Sequence, residues 1–137
     1  MSTDRPDPPI YDPRDTRKFA RAALDALKAV THLTAQTDGL TDLAETREVL
    51  GSFAGFAALL PQTLAQIDRR LLDWRSAGHL GTDRGTEFGG RPASAMATAR
   101  NALWHGCDDA VALYDQLDTA VHALRDAQWT GPEPGQP

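Results

Sequence analysis

The sequence predicts an all-α protein, an antiparallel three-helix bundle in which two helices are long, and three observations carry that prediction. Apolar residues recur at alternating spacings of three and four along three segments, the period of a helix that buries one face. No segment alternates apolar and polar residues at period two, so no strand is expected. Proline and glycine gather at both ends and in one internal stretch, GHLGTDRGTEFGGRP, where five glycines fall between Gly78 and Pro92. The 137 residues suit a single domain. At that length folding takes roughly two thirds of the unfolded chain's surface out of water, so no covalent staple is needed.

Residues 1–12 are expected to be disordered, since the first eleven hold three prolines and little apolar content. The bundle domain then covers 13–129. Asp12 is placed to cap the first helix, with Pro13 at its first position and Asp15 supplying negative charge to its first turn. Phe19, Ala23, Ala26, Val30 and Leu33 form its stripe. Asp38-Gly39 is read as its stop, with Gly39 in the left-handed position past the cap.

The second helix starts at Thr41 or Asp42. Its stripe is Leu43, Leu50, Phe53, Ala57, Leu60, Leu64, Ile67, Leu71 and Trp74. Pro61 lies in the middle, where a proline removes one hydrogen bond and costs about 3 kcal/mol. The apolar phase nevertheless passes it without a slip, from Leu60 to Leu64 to Ile67. One kinked helix is therefore expected, with a break at Pro61 and four helices as the alternative. Residues 78–92 have the composition of a flexible loop, longer than an antiparallel connection needs. The last helix opens at Pro92 or Ala93 with the stripe Met96, Ala99, Leu103, Cys107, Ala110, Tyr114, Leu117, Val121 and Leu124. Residues 130–137 are expected to form a disordered tail.

At about 1.5 Å per residue the first helix is roughly 35 Å long and the other two roughly 55 Å. A short first helix leaves the far end of the long hairpin uncovered. Leu64, Ile67, Leu71, Trp74, Met96, Leu103 and Trp104 are accordingly expected to form an exposed apolar interface. From residue 69 to 105 six arginines stand against Asp73, Asp83 and Glu87, so this tip is read as cationic on a protein of net charge −5.

Composition excludes several classes. Cys107 is the only cysteine, which rules out an internal disulfide and argues against a cysteine-based zinc site. The acidic balance argues against general binding to phosphate backbones, and a nucleic-acid binder using the arginine-rich tip is the weaker for it. The start MSTDRPDPPI lacks the apolar core of a signal peptide and FAALL is too short to span a bilayer, so a cytoplasmic protein without membrane contact is expected. His79, Asp83 and Glu87 in the glycine loop have no regular helix to hold them together, and no phosphate-cradling motif is present, so no metal or other cofactor is expected.

The sharpest local motif is RNALWHGCDD, from Arg100 to Asp109. Its R-N-x-x-x-H core resembles the signature of the HEPN superfamily, small helical bundles that include ribonuclease toxins. The resemblance implies a metal-independent endoribonuclease, or an inactive relative, with RNA as its partner. Arg100 would stabilise the transition state, His105 would move protons and Asn101 would orient them. On an ideal helix, however, His105 lies about 140° around from Arg100, which falls on the buried stripe.

YDQLD, from Tyr114 to Asp118, is similar to the Y-x-x-x-[DE] element of type VII-secreted helical hairpins, whose W-x-G turn has no counterpart after Trp74. Over most of the helical region RAALDAL, TDLAETREVL and TARNALWHGCDDAV resemble small helical actinobacterial proteins of unassigned function, often carried with mobile elements. That resemblance implies a bundle and no activity. The reading that fits best is a non-enzymatic helical interaction module, homodimeric through the hairpin tip or bound to another protein.

Overall fold

The computed structural model describes residues 11–132. Among them it contains three α-helices and no strand: α1 (Thr16–Thr34), α2 (Leu43–Ser76) and α3 (Pro92–Asp126). The expected disordered start and tail fall almost entirely on residues 1–10 and 133–137, outside the described residues. The chain divides into two units, residues 1–41 and 42–137.

In the first unit a 3-10 turn, Pro13–Asp15, precedes α1. Asp12 caps that turn rather than the α-helix itself: its carboxylate accepts the backbone N–H of Arg14 at 2.9 Å. The Arg14 guanidinium pairs with the same carboxylate and, with that backbone bond, holds it below the usual carboxylate range. The Tyr11 ring meets Phe19 edge-on at 5.6 Å. Helix α1 ends at Thr34, earlier than the Asp38-Gly39 stop suggested, and the backbone then turns through Gln36 and Gly39. Gly39 is not in the left-handed region. Its backbone packs onto the carbonyl of Leu33, where a Cβ would have no room.

In the second unit Asp42 is extended, and its carboxylate accepts the backbone N–H of Glu45 at 2.7 Å, the N-cap that starts α2. Helix α2 runs unbroken through Pro61, which removes the four-helix alternative. Pro61 is half-buried on the face toward α3, and the Cys107 thiol donates to its carbonyl at 3.6 Å. Packing on that face offsets the hydrogen bond that the proline cannot make. At the other end Gly78 N–H bonds Arg75 O and His79 N–H bonds Trp74 O, with Gly78 at φ +73°. This is a Schellman stop, and the left-handed residue it requires is the glycine. Pro92 then opens α3.

Helices α2 and α3 pack together with opposite chain direction. Asp68 meets Arg100, Leu64 lies against Gly106, and Pro61 meets Cys107, so position falls along one helix as it rises along the other. The α2 side of the seam is Leu50, Ala54, Ala57, Pro61, Leu64, Asp68 and Leu71, all buried or half-buried. Their spacing alternates four and three, the heptad of a helix with one straight neighbour. The α3 side keeps the same rhythm through Met96, Arg100, Leu103, Cys107, Ala110, Tyr114, Leu117, Val121 and Leu124. Alanine at Ala54, Ala57 and Ala110 lets the two backbones approach closely.

This seam corrects the stripe expected on α2. Leu50, Ala57, Leu64 and Leu71 do face α3, but Phe53, Leu60, Ile67 and Trp74 sit one residue before seam positions, about 100° around the helix. The i+3/i+4 series in the sequence therefore threads two faces. On α3 the expected Ala99 is exposed, and Arg100 takes its place on the seam.

Gly78 and Gly51 separate the two uses of glycine. Gly78→Ala should destabilise by about 1 kcal/mol, because only the backbone conformation is at stake where nothing crowds a Cβ. Gly51→Ala, in the open middle of α2, should stabilise by about 0.5–1 kcal/mol. Thermal denaturation of the two variants checks both signs.

Candidate functional site

The seam holds one charged pair, and it involves a residue singled out for catalysis. Arg100 Nε donates to Asp68 Oδ1 at 2.8 Å and Arg100 Nη2 to Asp68 Oδ2 at 3.3 Å, a two-pronged contact between the facing helices. Asp68 is the one buried charged residue among those described. The hydrogen bond to Asp68 raises the Arg100 pKa further above its ordinary value, against a smaller opposing effect of desolvation, so the guanidinium is permanently charged.

Asp68 was legible as a site only through its partner. It and Arg100 stand at nearly equal distances from the middle of the glycine loop, and each interrupts an otherwise apolar heptad. Aligning the two stripes about the loop would have found the pair. Its omission also distorted the tip's charge: counting from residue 69 leaves out the carboxylate that neutralises Arg100. The tip is less cationic than the sequence count implied.

The structure does not gather the nuclease-like residues. Arg100 is turned into the seam and held by Asp68, while Asn101 and His105 are exposed on α3, facing away from it. A guanidinium already engaged by a buried carboxylate is poorly placed to meet a phosphate beside His105. The secretion-like element is likewise divided between roles. Tyr114 belongs to the seam, and Asp118 lies 3.4 Å from His122.

The residues expected at the interface separate into two groups. Met96 is buried within the hairpin, and Leu64, Leu71 and Leu103 are half-buried along the seam, so their apolar surface is already largely used. Ile67, Trp74 and Trp104 remain 45%, 46% and 59% exposed. They do not form one patch. Ile67 and Trp74 come one residue before seam positions on α2, whereas Trp104 comes one residue after Leu103 on α3. In an antiparallel pair those offsets point to opposite sides of the hairpin. Trp104 accordingly lines a shallow hollow with Ala65 and Asp68.

The glycine loop is a succession of turns. Asp83 Oδ1 accepts the backbone N–H of Gly85, the Thr86 hydroxyl bonds Asp83 O at 2.7 Å, and Gly89 N–H bonds Thr86 O. Leu80, Thr82 and Phe88 are half-buried within it. His79, Asp83 and Glu87 do not converge, and among the described residues no three His, Cys, Asp or Glu side chains are grouped to hold a metal ion.

Helix α2 has one property the sequence reading missed. It is long and apolar enough to cross a membrane by length and composition, with a mean hydropathy of 1.2 over its most apolar 18 residues. No charge interrupts it from Val49 to Ile67. Its packing partner, however, carries Asp108, Asp109, Asp115 and Asp118, which are costly inside a bilayer.

No family model matches the chain, and no curated protein or solved structure matches it either. The residues themselves therefore carry the functional argument.

Asp68→Ala should destabilise the hairpin, since it leaves the Arg100 guanidinium in the seam without its acceptor. The double variant Asp68→Leu/Arg100→Met should recover most of that loss by making the seam continuously apolar. Chemical denaturation of the single and double variants measures both effects. Recovery in the double variant would mark the pair as a determinant of register rather than of stability.

Proposed function

We propose that this chain is a non-enzymatic helical protein-interaction module, acting in the cytoplasm as a homodimer through the loop-proximal half of the α2/α3 hairpin. The observation that supports this reading is the exposure of Ile67 and Trp74 beside a seam whose buried apolar residues are mostly alanines. Only Ala54, Ala57, Met96 and Ala110 are buried apolar residues among those described. A hairpin with so thin a core gains from a second helical layer, and apolar surface of this kind usually marks a contact site. Tryptophan is also a side chain that often dominates interface energies.

The antiparallel three-helix bundle belongs to the same proposal. It draws support from the apolar stripe of α1, on which Phe19 and Leu33 are each about half exposed. No cofactor enters this reading. The engagement of Arg100 by Asp68 favours it over metal-independent RNA cleavage.

Sedimentation at micromolar concentration tests the proposal. Wild type should be a dimer, and Ile67→Glu/Trp74→Glu should be a folded monomer by circular dichroism. A wild-type monomer would contradict the association. RNA cleavage without metal, lost in both Arg100→Ala and His105→Ala, would contradict the non-enzymatic reading.

A further inference from the structure

A helix in a four-helix bundle touches two neighbours, and those contacts lie roughly at right angles around its axis. Helix α2 carries residues for two such contacts. Its seam positions face α3. One residue before each of them runs a second row in the same four-three rhythm, polar at Thr63 and Arg70 and otherwise an apolar stripe of Val49, Phe53, Phe56, Leu60, Ile67 and Trp74. Phe56, Ile67 and Trp74 on that stripe are exposed, and the other three are half-buried. On α3 the positions one before the seam lie on the same side of the hairpin. Toward the loop they are Ala95, Ala99, Ala102 and Gly106, small residues that leave room for a further helical layer, and toward the open end they are Asp109, Leu113 and Gln116. Between Val49 and Trp74 this face is about 38 Å long and two helices, about 20 Å, wide. That is on the order of 800 Å², what each partner contributes to a stable interface of ordinary size.

Charge selects the occupant and its direction. The loop-proximal half of the hairpin, residues 61–107, holds six arginines and four carboxylates. The open half, residues 42–60 and 108–126, holds two arginines and eight carboxylates. The hairpin is electrically polar along its length. A second copy laid in the same direction stacks like on like, whereas one laid in the opposite direction places each arginine-rich half beside an acidic one.

We infer that two copies pack face to face through the second stripe of α2 and the small-residue side of α3, with the hairpins overlapping along their length and pointing in opposite directions. This rests on the homodimer proposed above, extends its contact from the loop-proximal half to the whole length of the hairpin, and adds its face and orientation. With the opposed α2 helices centred on the turn that contains Pro61, Phe56 comes level with the partner's Ile67 and Val49 with the partner's Trp74, while Phe53 comes level with the partner's Arg70 and Leu60 with the partner's Thr63. Glu48 then lies level with the partner's Arg75, so the charges match at the same register as the apolar residues. Tip-to-tip association would instead bring the two arginine-rich halves together.

Spin labels on Ser76→Cys, at the exposed end of α2, test the orientation in full-length Cys107→Ser protein, with Cys107→Ala as a second background should serine disturb the seam. In the opposed dimer the two labels are separated by about 29 residues of helical rise, which puts them roughly 45 Å apart. Pulsed dipolar spectroscopy should return that distance in a sample shown to be dimeric by sedimentation. A dimer with labels closer than about 25 Å would overturn the orientation while leaving the homodimer standing. A dimer with labels well beyond about 60 Å would overturn the full overlap. A monomer would overturn both proposals.

Discussion

The phase of the heptad where α2 meets α3 is the constraint on which the second unit depends. Once Leu50, Ala57, Leu64 and Leu71 point at α3, every other residue of α2 has its direction fixed by helical geometry. A shift of one residue would bury Phe56 and Ile67 and expose Ala57 and Leu64. What prevents that shift is less the apolar content, which either phase could supply, than the polar positions. Asp68 can be buried only where Arg100 reaches it with two prongs, and Arg100 reaches it in one register. Buried polar residues in a helical seam are known to fix register and partner at a cost in stability, and this pair is positioned to do so.

The alanine-rich seam has a second consequence. Small residues at Ala54, Ala57 and Ala110 bring the two helices close, but they bury little surface for each residue ordered. The larger side chains of α2 lie elsewhere, on the adjacent face. The hairpin thus buries alanines at its seam while Phe56, Ile67 and Trp74 stay exposed on the adjacent side of α2. The glycine loop reverses the chain through turns anchored on Asp83, and Gly78 provides the clean helix stop that lets it begin.

Much of this was legible in the sequence, for identifiable reasons. Long uninterrupted periodicity located all three helices, with starts expected at Thr41 or Asp42 and at Pro92 or Ala93, close to where α2 and α3 begin. Continuity through Pro61 was readable because the apolar phase did not slip. Three things were not. An i+3/i+4 series is compatible with one broad face or with two adjacent ones, and only the position of α3 shows that Phe53, Ile67 and Trp74 belong to the second. The partner of Arg100 was hidden because it lies 32 residues away across a loop. A local motif search therefore read Arg100 with Asn101 and His105, its neighbours in sequence, instead of with Asp68. At Gly39 a glycine was assigned to left-handed backbone when its role is to let the chain approach Leu33.

The central claim is that α2 has two faces, one used by α3 and one kept for a second copy. The tryptophans report on it directly, because Trp74 lies on the second stripe and Trp104 on the opposite side of the hairpin. Two single-tryptophan proteins are needed, each with Trp129 and one of the other two replaced by phenylalanine, and each titrated with acrylamide across a range of protein concentrations. The account predicts that Trp74 becomes shielded from the quencher as concentration rises while Trp104 stays accessible. Shielding of Trp104 with Trp74 left open, or no dependence on concentration for either, would contradict it.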